Sequence, residues 1–102
     1  MSVTVSTSST TTTARLSGEI DTYTVPEVRH AFDELEVPVG GDVVVDLRDV
    51  TFLDSSGLGA IIGLYHRTAG PGARLRLVCG ASTLQLVRLM HFDQVIDVVD
   101  AT

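Results

Sequence analysis

The chain has 102 residues, 44% of them hydrophobic, and carries seven cationic against thirteen acidic side chains for a formal net charge of −6. That length predicts one domain over 1–102, with room for one core. Every cation is arginine, and so acidic a chain lacks the basic surface that attracts nucleic acid or an acidic membrane, so neither is expected as a partner.

The chain begins Met1-Ser2-Val3-Thr4-Val5, with no basic segment ahead of an apolar core, so no signal peptide is expected. Ser6 to Thr13 is almost wholly Ser and Thr. Val3 and Val5 alternate before it, and Ala14-Arg15-Leu16 resumes an extended pattern after it. Threonine favours strands, and the segment predicts an edge hairpin over 2–7 and 11–18 rather than disorder. Asp21-Thr22-Tyr23 is a loop. Thr24-Val25-Pro26-Glu27 then announces a helix, with Thr24 as cap, Pro26 in the first turn and Glu27 closing a capping box. Val28, Ala31, Phe32 and Leu35 form its apolar stripe.

After the Pro38-Val39-Gly40-Gly41 break, Val43 to Leu47 predicts a strand buried on both faces, as in parallel sheets. Thr51 to Gly57 is expected as a loop, with a second helix from Ser56 to about Thr68. Its apolar run Gly57 to Tyr65 is far shorter than the ~20 residues of a membrane span. Gly70-Pro71-Gly72 turns the chain into an alternating strand, Arg74 to Cys79. The alternation places Cys79, the only cysteine, in the core, and a lone cysteine excludes an internal disulfide. Ser82-Thr83-Leu84-Gln85 reads as a second capping box opening a helix to about Met90, and Val95 to Val99 as the last strand. The order β-β-α-β-α-β-α-β predicts an α/β fold with a mostly parallel sheet and right-handed crossovers. The expected location is the cytoplasm.

The stretch from Val43 to Gly59 concentrates the chemistry, and three interpretations compete for it. A dinucleotide site would use Gly57-Leu58-Gly59 between strand and helix, but the third glycine falls at Gly63, one place late, where Ile62 stands instead. A nucleophile elbow around Ser55 lacks its first glycine, replaced by Leu53. His30, His66 and His91 have the placement of surface or helix-end residues rather than of a base. The third interpretation is a phosphate acceptor. A serine at a helix start lies beside unpaired amides and the positive end of the dipole, and a phosphate next to Asp54 would make the loop strongly anionic. From these residues alone, the simpler interpretation of Ser55 and Ser56 is a helix cap.

Asp54-Ser55-Ser56-Gly57-Leu58-Gly59, following Leu47-Arg48-Asp49-Val50-Thr51-Phe52-Leu53, closely resembles the signature of STAS-domain anti-sigma factor antagonists. Leu16-Ser17-Gly18-Glu19-Ile20-Asp21 resembles the family's Gly-Glu-Leu-Asp run at the close of the second strand, with isoleucine for leucine. The resemblance runs from about Val3 to Val99. It implies a STAS domain that is not an enzyme and needs no cofactor, with Ser56 as phosphoacceptor. The implied partners are an ATP-binding anti-sigma factor serine kinase, captured by the unphosphorylated chain so that a sigma factor is freed, and a serine phosphatase that resets the phosphorylated form. ATP and magnesium belong to the kinase. The implied contact residues are Asp21 and Thr22 on one loop and Asp54, Ser55, Ser56, Gly57, Leu58 and Gly59 on the other. Two alternatives remain: a STAS interaction scaffold that controls no sigma factor, and a small serine hydrolase.

The second helix is apolar all round, whereas a helix on one face of a sheet is expected to be polar outside. Leu58, Ile61, Ile62 and Tyr65 can face the sheet together. That would leave Gly59, Ala60, Gly63 and Leu64 either as a surface for a partner or as contacts of a neighbouring element.

Overall fold

Alternation of buried and exposed positions along Thr11–Ile20 and Arg74–Cys79 sets the plan of the molecule. In the computed structural model, which describes residues 1–102, five strands form one sheet in the order β1-β2-β3-β4-β5. They are β1 (Ser2–Thr7), β2 (Thr11–Ile20), β3 (Asp42–Leu53), β4 (Arg74–Cys79) and β5 (Asp97–Asp100). β1 pairs antiparallel with β2 as the expected edge hairpin, and every later pairing is parallel. The helices α1 (Val25–Glu34), α2 (Ser55–Ala69) and α3 (Ala81–Leu89) fill the crossovers, and a short 3₁₀ turn, Phe92–Gln94, precedes β5. The fold is therefore the α/β arrangement expected, β-β-α-β-α-β-α-β.

Each crossover steps one strand further in the same direction. Crossovers of one hand then deliver every helix to the same face. Across the register, Thr12, Val43 and Leu75 stand together, as do Ala14, Val45 and Leu77, and then Leu47 and Cys79. All eight are buried at 4% exposure or less and lie beneath the helices. Cys79 sits in this layer, and burial raises its thiol pKa above the ordinary value. The opposite face has no helical cover. It carries Arg15 paired with Asp49, Arg76 with Asp97, and Arg48 with Asp46, at 2.9, 2.8 and 2.6 Å.

This one-sidedness corrects the expectation that Val43 to Leu47 is buried on both faces. Val44, on the open side, is only half-buried. The apolar run looked two-sided because Asp46 is also inaccessible, held there by the Arg48 guanidinium, which lowers its pKa against the cost of burial.

Other boundaries move for local reasons. Thr51 to Leu53 are strand rather than loop, since β2 continues to pair with β3 as far as Ile20–Leu53. Helix α2 starts at Ser55, with Asp54 as its cap. Neither capping box forms. Thr24 has helical dihedrals, and its hydroxyl donates to the Glu19 carbonyl and accepts from the Asp21 amide instead. At α3 the cap position is Gly80, and the Ser82 hydroxyl bridges to the Val50 carbonyl. The last strand starts at Asp97, because Val95 closes the 3₁₀ turn. On α2, Ala60 and Leu64 are buried beside α1, while Ile62 is 40% exposed, so part of the expected partner surface is helix–helix packing.

A one-sided core predicts unequal costs of truncation. Leu77→Ala should lower unfolding free energy by about 2–5 kcal/mol. Val44→Ala, on the open face, should cost well under half of that in the same urea titration.

Candidate functional site

Parallel strands β2 and β3 end side by side at Ile20 and Leu53, so the loops that follow open on the same rim of the sheet. The Asp54 amide donates to the Ile20 carbonyl at 3.3 Å, which ties the second loop to the first. On the first loop, Asp21 Oδ1 accepts from the amides of Tyr23 (2.9 Å) and Thr24 (3.1 Å), an Asx-type turn that launches α1. Asp21 is half-buried, Thr22 is exposed, and Tyr23 projects from the rim at 92% exposure.

The second loop is built around one carboxylate. Asp54 is in extended conformation, and its Oδ1 accepts from the Ser56 amide at 3.0 Å and the Gly57 amide at 3.2 Å, the geometry of an N-cap. The same oxygen accepts the Ser56 hydroxyl at 2.5 Å. The Ser56 hydroxyl bond is the largest cause of an Asp54 pKa below the ordinary 3.8, and the amides of Gly57, Ser56 and Thr22 add to it against a desolvation cost. Ser55 is fully outside and Ser56 half-buried, the first two residues of α2.

Gly57 makes this approach possible. A β-carbon there would stand 2.4 Å from Leu53 Cδ1 and 2.9 Å from Ile20 Cγ2, so only glycine lets the helix start rest on both strand ends. Leu58 is 4% exposed and belongs to the core. Gly59 is half-buried, next to the Arg29 side chain. The rim thus gathers Asp21, Thr22, Asp54, Ser55 and Ser56 at its surface, with Gly57 and Leu58 beneath them. Tyr23, Phe52 (49% exposed) and Arg29 join it without a sequence signal, because only the folded rim brings them alongside.

No histidine bonds to either serine: His30 pairs with Glu34, His66 leans on Tyr65, and His91 approaches Gln94. The arrangement holds a hydroxyl on a fixed, anionic ledge, with the Asp54 carboxylate as its hydrogen-bond acceptor. No helix is long and apolar enough to cross a membrane.

Sheet, helices and rim together define a small α/β domain with a serine at the rim where α2 begins. The STAS domain family model matches residues 2–102, and the chain belongs to that family. It is 33% identical over 85 residues to the anti-sigma-B factor antagonist of Listeria monocytogenes, covering 83% of this chain and 73% of that protein. Among solved structures, it is similar to an anti-sigma factor antagonist from Mycobacterium paratuberculosis, with a TM-score of 0.85 and 25% identity over 96% of this chain and 84% of that one. The phosphorylated form of the Bacillus cell fate determinant SpoIIAA shares the fold, with a TM-score of 0.75 at 19% identity over 99% and 92% of the two chains.

Two outcomes test the rim. Gly57→Ala should destabilise the chain by about 1–3 kcal/mol through overpacking at Leu53 and Ile20, measured by chemical denaturation. Folding holds Asp54 deprotonated, so its contribution to stability is full above the ordinary value of 3.8 and fades as pH falls through the lowered folded value. Asp54→Asn should therefore lower Tm at neutral pH and flatten the acid limb of the Tm–pH curve.

Proposed function

We propose that the chain is an anti-sigma factor antagonist whose unphosphorylated rim captures an ATP-binding anti-sigma factor kinase and whose phosphorylation on Ser56 breaks that complex. The carrying observation is the placement of the Ser56 hydroxyl, at the start of α2 on a ledge already fixed by Asp54. Asp21, Thr22 and Ser55 are the neighbouring contacts, with Gly57, Leu58 and Gly59 shaping the helix that presents them. Support comes from the anti-sigma-B factor antagonist relative and from a Bacillus protein of this fold having a phosphorylated form.

In the transfer, the Ser56 oxygen attacks the γ-phosphorus of ATP bound to the kinase. The bond to the β–γ bridging oxygen breaks, ADP leaves, and the hydroxyl proton passes to a base of the kinase or to water. The product gains about 1.5 to 2 negative charges beside Asp54 and Asp21. Charge added to a ledge that keeps its backbone bonds repels a partner without unfolding the domain. A serine phosphatase restores the hydroxyl and with it the binding surface.

With a purified cognate kinase and ATP, phosphate should map to Ser56; phosphate confined to Ser55 would contradict the assignment. Ser56→Ala should hold the kinase in the presence of ATP, and Ser56→Asp should bind at least tenfold more weakly, about 1.4 kcal/mol. Equal affinities for the two would remove the electrostatic mechanism. Asp21→Ala should weaken capture and slow phosphorylation; normal binding would leave Asp21 as a turn former alone.

A further inference from the structure

Every arginine but one is held by a partner. Arg15, Arg48, Arg74, Arg76 and Arg88 face Asp49, Asp46, Asp42, Asp97 and Asp100. Arg67 donates to the carbonyls of Phe32 and Leu35 as α1 ends. Arg29 is exposed and bonds to nothing, although the chain has almost twice as many carboxylates as cations. Its Nη2 instead lies 3.2 Å from the point where a β-carbon of Gly59 would stand.

That position is close to Ser56. Arg29 and Gly59 are each the fifth residue of their helices, which start from the same rim. Ser56 precedes Gly59 by three residues, so the two share a flank of α2, about 5–6 Å apart at the β-carbons. The flank faces α1, since Ala60, Gly63 and Leu64 line a groove there with Arg29 and Phe32.

We propose that Arg29 is the internal receptor for the phosphoryl group on Ser56, its guanidinium taking two of the phosphoryl oxygens. The inference rests on the phosphorylation of Ser56 proposed above. Esterification removes the O–H that Ser56 donates to Asp54 and sets a near-dianion against that carboxylate. Repulsion turns the phosphate away from Asp54, and the α1 flank offers the one unpaired cation within a helical turn. Gly59 leaves the space in which the guanidinium lies. A planar fork suits two phosphoryl oxygens better than an ammonium does. Held this way, the phosphate is stored against the chain's own surface, and its release governs how long the phosphorylated state lasts.

The test needs no kinase. Phosphoserine is installed at position 56 of the full chain by nonsense suppression, and the phosphorus resonance is followed through its second ionisation, ordinarily near pKa about 6. Arg29→Gln should raise that pKa by roughly half a unit, and Arg29→Lys should recover part of the difference. Arg74→Gln, which removes the same charge on the far side of the sheet, should leave the titration at the wild-type value. Thermal melts of all three variants check that the fold is kept. Identical titrations for wild type and Arg29→Gln overturn the role of Arg29 and leave Ser56 phosphorylation standing. Failure of the kinase to modify Ser56 in the wild-type chain overturns the underlying function instead.

Discussion

The Asp54 carboxylate accepts the amides of Ser56 and Gly57 and the hydroxyl of Ser56, while the Asp54 amide donates to the Ile20 carbonyl at the end of β2. All three donors to the carboxylate come from the first turn of α2, where backbone N–H groups would otherwise point unpaired into the loop. The Asp54 amide bond to Ile20 ties the same residue to the end of β2, so one residue sets the start of a helix and its distance from the neighbouring strand. Gly57 completes the constraint from beneath by letting α2 seat on Ile20 and Leu53. The position of Ser56 is therefore fixed by backbone contacts that survive a change at its own hydroxyl. Regulation by charge, rather than by refolding, is the mode this geometry favours.

The one-sided sheet shapes what surrounds that rim. With all three helices on one face, α1 and α2 lie side by side and present their first turns together, while the ion pairs of Arg15, Arg48 and Arg76 occupy the open face. The exposed pairs, Arg15–Asp49 and Arg76–Asp97, add little stability each, so the core beneath the helices carries the fold. This separation lets the rim be anionic without weakening the packing that supports it.

Much of this was legible in the chain. The alternation in Arg74–Cys79 and the periodic stretch around Val28 to Leu35 located strand and helix, and the Asp-Ser-Ser-Gly run located the rim. Three kinds of feature were hidden. The capping boxes failed because Thr24 and Ser82 found tertiary partners, Glu19 and Val50, that local spacing does not reveal. On α2, Leu58 and Ile61 face the core as expected, but an all-apolar helix has no polar side to mark its orientation; only the packing of α1 shows that Ala60 and Leu64 are inside and Ile62 outside. Arg29 left no local signal, since its significance lies in having no partner while every other arginine has one.

The central claim is that phosphate at Ser56 alters the charge of the rim and leaves the fold in place. Backbone amide spectra and hydrogen exchange of the chain, with serine and with phosphoserine at position 56, test it directly. The expected result is shifts confined to the Asp21–Thr24 loop, the first turns of α2 and the adjacent face of α1, with protection in β3, β4 and the body of α2 unchanged. Loss of protection along α2, or shifts spread through the β-sheet, would contradict it.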